Sequence, residues 1–139
     1  MIKKTITYVD FNGKERTEDF YFHLSLPEAT RIVAEFGARD TDQLSDIMER
    51  MIEKQDFKSI LDVFDRIVLS SYGKKSVDGR SFVKTEADRE AFENSEAYAT
   101  LFEEIVNNPE GAMAFFEGIG ATVKKTGQNG SQPLIKPLA

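Results

Sequence analysis

The feature that most constrains the fold is a change in hydrophobic period after residue 24. Before that point apolar and polar side chains alternate, as along half-buried strands. Beyond it apolar side chains recur every three or four residues, as on helices. The alternation is interrupted by Asp10-Phe11-Asn12-Gly13-Lys14, which contains a turn sequence. We therefore predict an α+β fold, with an N-terminal β-hairpin followed by a mainly α-helical domain of about six helices.

Two registers are open to this hairpin. A two-residue Asn-Gly turn pairs Ile2 with His23 and mixes polar and apolar side chains on both faces. A type I turn followed by a left-handed Gly13, the G1 bulge, pairs Ile2 with Phe22. Only the second register collects the apolar side chains on one face, so we predict the bulged turn. That face carries Ile2, Ile6, Tyr8, Phe20, Phe22 and Leu24.

The helices are predicted from apolar spacing and capping residues. Ser25 and Glu28 form the pattern of a capping box at the first helix, with Pro27 in its first turn. Asp56 is the expected cap of the third helix, which has the longest apolar stripe. This stripe consists of Phe57, Ile60, Leu61, Phe64, Ile67, Val68 and Tyr72, before Gly73. We expect the first helix to stop at Gly37. The other helices are expected to start at Thr41 or Asp42, at Thr85, at Ser95 and at Asn108-Pro109.

Two segments lack any such period. Residues 73–85 contain two glycines and an Asp78-Gly79 turn, which predicts an internal loop. The segment KKTGQNGSQPLIKPLA is rich in glycine, proline and polar residues, which predicts a flexible C-terminal tail over residues 124–139. Residues 1–123 are then expected to form a single domain, since a chain of this length buries enough surface for one core.

Charge is arranged in blocks along the chain. The 24 acidic and 18 basic side chains give a net charge of −6, yet residues 66–84 carry five basic side chains and one acidic one. These basic side chains either neutralise neighbouring acidic helices or form a docking patch for an acidic partner or a neighbouring subunit. The candidate partner-binding residues are Lys74, Lys75, Arg80 and Lys84. Nucleic acid is not expected as a partner, because its binding requires phosphate neutralisation and the domain is acidic.

Side chains suited to catalysis are scarce. The chain has no cysteine, which excludes disulfides, thiolate metal sites and cysteine nucleophiles. Its single histidine, His23, falls on the strand face opposite Phe22 and is expected to be a sheet-surface residue rather than a base. The sequence has no calcium-loop spacing, glycine-rich phosphate loop or nucleophile elbow. We expect no catalytic, cofactor-binding or metal-binding residue, and no enzyme.

The chain also lacks the patterns of membrane proteins and secreted proteins. No apolar run approaches the roughly 20 residues of a membrane-spanning helix. The N-terminal sequence MIKKTITYVD has no apolar segment of the kind found in secretion signals. We therefore expect a cytosolic protein that does not bind a membrane.

Several segments resemble tail assembly chaperones of long-tailed bacteriophages and related prophages. They are ITYVDFNGKERTEDFYFHLS, SYGKKSVDGRSFVK, REAF, EAYATLF and AFFEGI, within about residues 2–120. The resemblance implies a small non-enzymatic protein of the host cytoplasm. It implies that this protein keeps the tape measure protein soluble and helps recruit tail tube protein around it. It also implies that some members have a longer form made by frameshifting, and it carries over no catalytic residue.

We predict a phage tail assembly chaperone, and one alternative function remains open. A chaperone for a long helical client needs a groove or a repeated surface, and free hairpin edges allow chains to line up side by side as a homo-oligomer. The alternative is a small acidic regulatory adaptor or inhibitor that binds one host protein through its acidic face. A hydrolase using Glu or Asp would need convergent carboxylates, which the pattern does not provide.

Overall fold

A computed structural model describes residues 1–36 and 44–119. The strands are β1 (Ile2–Val9), β2 (Glu15–Phe22), β3 (Tyr72–Lys75) and β4 (Phe82–Val83). The helices are α1 (Leu26–Glu35), α2 (Leu44–Lys54), α3 (Phe57–Ser71), α4 (Glu86–Glu93), α5 (Glu96–Asn107) and α6 (Pro109–Ile119). The predicted α+β class, with an N-terminal hairpin and six helices, is confirmed. The stop at Gly37, the cap at Thr41 or Asp42 and the tail over residues 124–139 lie outside the described residues.

The β1–β2 hairpin has the bulged register predicted from the sequence. Ile2 pairs with Phe22, and Gly13 has a φ of +80°. The Asp10 backbone N–H donates to the carbonyl of Lys14 at 2.8 Å, and the Asp10 carboxylate accepts from the Lys14 backbone N–H at 2.9 Å. Asp10 thus closes the turn with both its backbone and its side chain, which fixes the register of the whole hairpin.

The segment 73–85 contains a second hairpin, so the prediction of a loop was wrong. Lys74 pairs with Val83 across β3 and β4. Gly73 pairs with Tyr21 of β2, which makes one antiparallel sheet in the order β1-β2-β3-β4. The two new strands are only four and two residues long. Such short strands give no readable alternation, and their pairing depends on the distant edge of β2.

Helices cover one face of the sheet and bury a cluster of aromatic rings. Phe22 is completely buried, and its ring centroid lies 5.9 Å from Tyr72, 5.8 Å from Phe92 and 5.4 Å from Phe115. These three rings come from β3, α4 and α6, so Phe22 joins the sheet to two of the helices. Lys4, on the same sheet face, forms an ion pair with Glu104 of α5.

The apolar stripe of α3 was predicted only in part. The Asp56 carboxylate caps the helix by accepting from the Ser59 backbone N–H, as expected. Phe57 and Leu61 are not core residues, because their exposed fractions are 72% and 45%. Leu61 lies roughly a quarter turn from the centre of the buried sector, and Phe57 lies in a first turn that is exposed. Tyr72, expected at the end of the helix, instead begins β3.

Candidate partner-binding surfaces

The second hairpin carries all four basic residues that the sequence singled out. Lys74 and Lys75 lie on β3, Arg80 lies in the turn, and Lys84 directly follows β4. We call residues 72–84 the basic hairpin. Because β4 is at the edge of the sheet, this hairpin forms one border of the described structure.

Two of these cations contact helices of the same chain. The Lys74 Nζ lies 3.2 Å from an Asp88 carboxylate oxygen on α4. The Lys84 Nζ donates to both carboxylate oxygens of Glu28, at 3.0 and 3.1 Å. Burial raises the pKa of Glu28, but hydrogen bonds from Ser25 and Lys84 outweigh it and leave the pKa below its usual value. These contacts favour local charge neutralisation as the role of Lys74 and Lys84.

The other two cations are directed away from the helices. The Lys75 Nζ lies 5.3 Å from the ring centroid of Tyr21, on the sheet face opposite the core. The Arg80 Nε lies 4.0 Å from Asp78, and its side chain remains 87% exposed. Val77, in the same turn, is fully exposed. The tip of the basic hairpin, residues 75–80, therefore presents positive charge together with an apolar side chain. This combination is suited to an acidic amphipathic partner.

His23 lies beside this hairpin and is half-buried, so it is more covered than a sheet-surface residue was expected to be. The ring of Phe82 packs edge-on against it, with centroids 5.9 Å apart. Within the described structure its Nδ1 atom is buried and has no hydrogen-bond partner. Burial lowers the pKa of His23, and the positive charges of the N-terminus and Lys84 lower it further, against an opposing effect of Glu28. Strand β4, which the sequence did not reveal, is what covers His23.

A groove between α2 and α6 is a surface that the sequence analysis missed. Its volume is about 230 Å³. It is lined by Glu49, Ile52, Glu53, Pro109, Ala112 and Met113. Because residues four apart share a helix face, Glu49 and Glu53 lie along one rim of an otherwise apolar depression. We call it the acidic groove. The spacing of Glu49 and Glu53, four residues apart on one face of α2, was the signal available in the sequence.

The described residues contain neither a group of metal ligands nor a membrane-spanning helix. Within residues 1–36 and 44–119, no three side chains of the types that ligate metals are grouped so that they could hold an ion. No helix in those ranges is both long enough and apolar enough to span a membrane.

Asp65 has a pKa raised by burial and by the nearby Glu93 and Asp62, but the hydroxyl of Tyr98 donates to its carboxylate. We interpret Asp65 as a structural residue that joins α3 to α5.

The chain matches a known protein family over most of its length. A family model described as phage tail assembly chaperone matches residues 1–122. No curated protein and no solved structure matches the chain. The matched range includes the sheet, all six helices and both surfaces described above. The chain therefore belongs to the phage tail assembly chaperone family.

Proposed function

We propose that this chain binds the tape measure protein of a bacteriophage tail, keeps it soluble, and helps recruit tail tube protein around it. The observation that carries the proposal is the family match over residues 1–122. The protein acts without catalysis or cofactor, in the host cytoplasm. Its contribution is a binding surface, because exposed apolar segments of a long helical client aggregate unless a partner covers them.

The tip of the basic hairpin is the part of this surface that we assign to protein partners. Lys75 and Arg80 project from it beside the exposed Val77, whereas Lys74 and Lys84 serve mainly to hold the hairpin against α4 and α1. Glu90 and Glu93 are exposed on α4 of the same chain. A second copy can thus meet the tip with an acidic helix, and such head-to-tail contacts repeat along a long client.

Co-expression with the tape measure protein of the same phage tests the proposal. We expect the soluble fraction of that client to rise several-fold when this chain is present. A K75E/R80E variant should lose most of the gain, whereas K14E/R31E should keep it. Lys14 and Arg31 are exposed residues outside the basic hairpin, so the control makes the same change in charge. Equal client solubility with and without the chain would overturn the proposal.

A further inference from the structure

The acidic groove has the chemistry of a site for a short basic and apolar segment. Ile52, Ala112 and Met113 give it an apolar lining, and Glu49 and Glu53 give it two carboxylates on one rim. At about 230 Å³ it is smaller than typical sites for drug-sized ligands. It has room for one or two aliphatic side chains of a bound segment. Basic side chains of the same segment can then reach the two carboxylates on its rim.

We propose that the acidic groove is bound by the chain's own C-terminal segment, residues 124–139. This segment has three lysines and no acidic side chain. It carries its aliphatic side chains in the sequence Pro133-Leu134-Ile135-Lys136-Pro137-Leu138. Lysines and aliphatic residues are the complement of a groove that pairs carboxylates with an apolar lining.

The length of chain after α6 allows this contact. The groove is lined by Pro109, Ala112 and Met113 of α6, and the helix ends at Ile119. At about 1.5 Å per residue, Met113 lies roughly 9 Å and Pro109 roughly 15 Å from that end. Residues 120–133 span more than about 40 Å when extended. Leu134 and Ile135 can therefore return to the groove with slack in the connection.

The sequence of the segment lowers the cost of binding. Pro133 and Pro137 each have a fixed φ, and each disfavours the helical region for the residue before it, Gln132 and Lys136, so the unbound segment has less entropy to lose on docking. Attachment to the same chain gives an effective concentration on the order of millimolar. Such a contact is reversible, and it covers the groove until a competitor displaces the segment. The inference does not depend on the client proposed above.

Disulfide trapping in the full-length chain provides the test, because the chain has no cysteine of its own. One variant carries E110C, next to the groove, with Q132C in the tail. The matched control carries E93C on α4 with the same Q132C. Glu110 and Glu93 are both exposed. Under mild oxidation we expect the groove pair to form an intramolecular disulfide about fivefold or more faster than the control pair, given the local concentration from docking.

Charge reversal then separates docking from chance encounter. Adding either E49K/E53K or K124E/K125E/K136E to the E110C/Q132C variant should reduce its rate to that of the control. Combining both reversals should restore the faster rate, because the charges are again complementary. The tail reversal alters no residue of the described fold, so it remains informative if E49K/E53K fails to fold.

Three results would overturn the inference. They are equal rates for the groove and control pairs, disulfide-linked dimers in place of the intramolecular product, and a groove-pair rate unaffected by charge reversal. Dimers would assign the groove to the segment of a second copy. Loss of client solubility in E49K/E53K, together with equal trapping rates, would assign it to the tape measure protein.

Discussion

Gly73 and Phe82 pack so closely that a Cβ atom on Gly73 would lie 2.7 Å from the Cε2 atom of the Phe82 ring. It would also lie 2.8 Å from the carbonyl oxygen of Val83. The backbone atom cannot move aside without shifting β4. The basic hairpin therefore requires glycine at this position.

We predict that G73A lowers the free energy of unfolding by roughly 1–3 kcal/mol, the usual range for overpacking. Chemical denaturation followed by circular dichroism measures the loss. V77A, at the fully exposed turn residue of the same hairpin, is the control and should change stability by less than about 0.5 kcal/mol. If G73A is as stable as the parent protein, the close contact between β3 and β4 is wrong.

The left-handed Gly13 gives a second prediction. Its φ of +80° is unfavourable for a β-branched side chain, although the space around it is open. G13V should therefore cost roughly 1–2 kcal/mol or more. G13N should cost less, since asparagine tolerates this conformation. Equal unfolding midpoints for the two variants would show that the loss does not come from φ.

Two phenylalanines of α3 provide a matched pair. Phe64 is fully buried, with its ring centroid 4.9 Å from Phe102, whereas Phe57 is 72% exposed. We expect F64A to destabilise by roughly 3–5 kcal/mol, and F57A by less than about 0.5 kcal/mol. Denaturant titration measures both. A large loss in F57A alone would mean that the sector of α3 facing the core has been misassigned.

His23 makes stability depend on pH. Burial lowers the pKa of His23 in the folded state, with a smaller contribution from the N-terminus and Lys84. In the unfolded chain its pKa is near the ordinary value of about 6.5. As the pH falls below about 6.5 the unfolded state takes up a proton that the folded state resists, so stability declines until the folded pKa is passed.

Comparing the parent protein with H23N between pH 7.5 and 5.5 isolates this effect, because carboxylates contribute to both proteins alike. The stability difference between the two should shift in favour of H23N as the pH falls. A difference that stays constant across this range would show that His23 titrates normally in the folded protein.

Mutations of the basic hairpin should affect either self-association or stability, depending on the residue. K75E/R80E is expected to weaken self-association without loss of stability, and the self-association of the parent protein should fall at high salt. K84E should instead destabilise the fold by about 1 kcal/mol, because it places two carboxylates together at Glu28. Sedimentation velocity at two salt concentrations and thermal melts measure these effects. A parent protein that is monomeric at every concentration would remove the role assigned to Lys75 and Arg80.

Local features of the fold could be predicted from the sequence. The hairpin register followed from the side-chain faces and the bulge at Gly13, and the caps at Ser25, Asp56 and Thr85 depend on residues within one helical turn. Each of these was correct because the interactions that decide it span only a few residues.

Features that depend on distant contacts could not be predicted in this way. Tyr72 belongs to β3 and not to α3 because it pairs with Phe22. The sequence around Tyr72 contains no sign of that partner. At the candidate site the sequence named Lys74 and Lys84 but not the helix carboxylates that hold them, Asp88 and Glu28. The acidic groove was missed for the same reason, because α2 and α6 are far apart in the chain.

The order of strands has a consequence for synthesis on the ribosome, where the chain emerges from its N-terminus. β1 and β2 can pair at once, but the edge of β2 at Tyr21 and Phe22 stays unpaired until Tyr72 and Gly73 have emerged. An unpaired edge invites association with other nascent chains. During this time β2 exposes charged residues in the part of the strand that precedes its aromatic end. They are Glu15, Arg16, Glu18 and Asp19. The polar half of the strand, which β3 does not pair, thus disfavours association along this edge both before and after the sheet is complete.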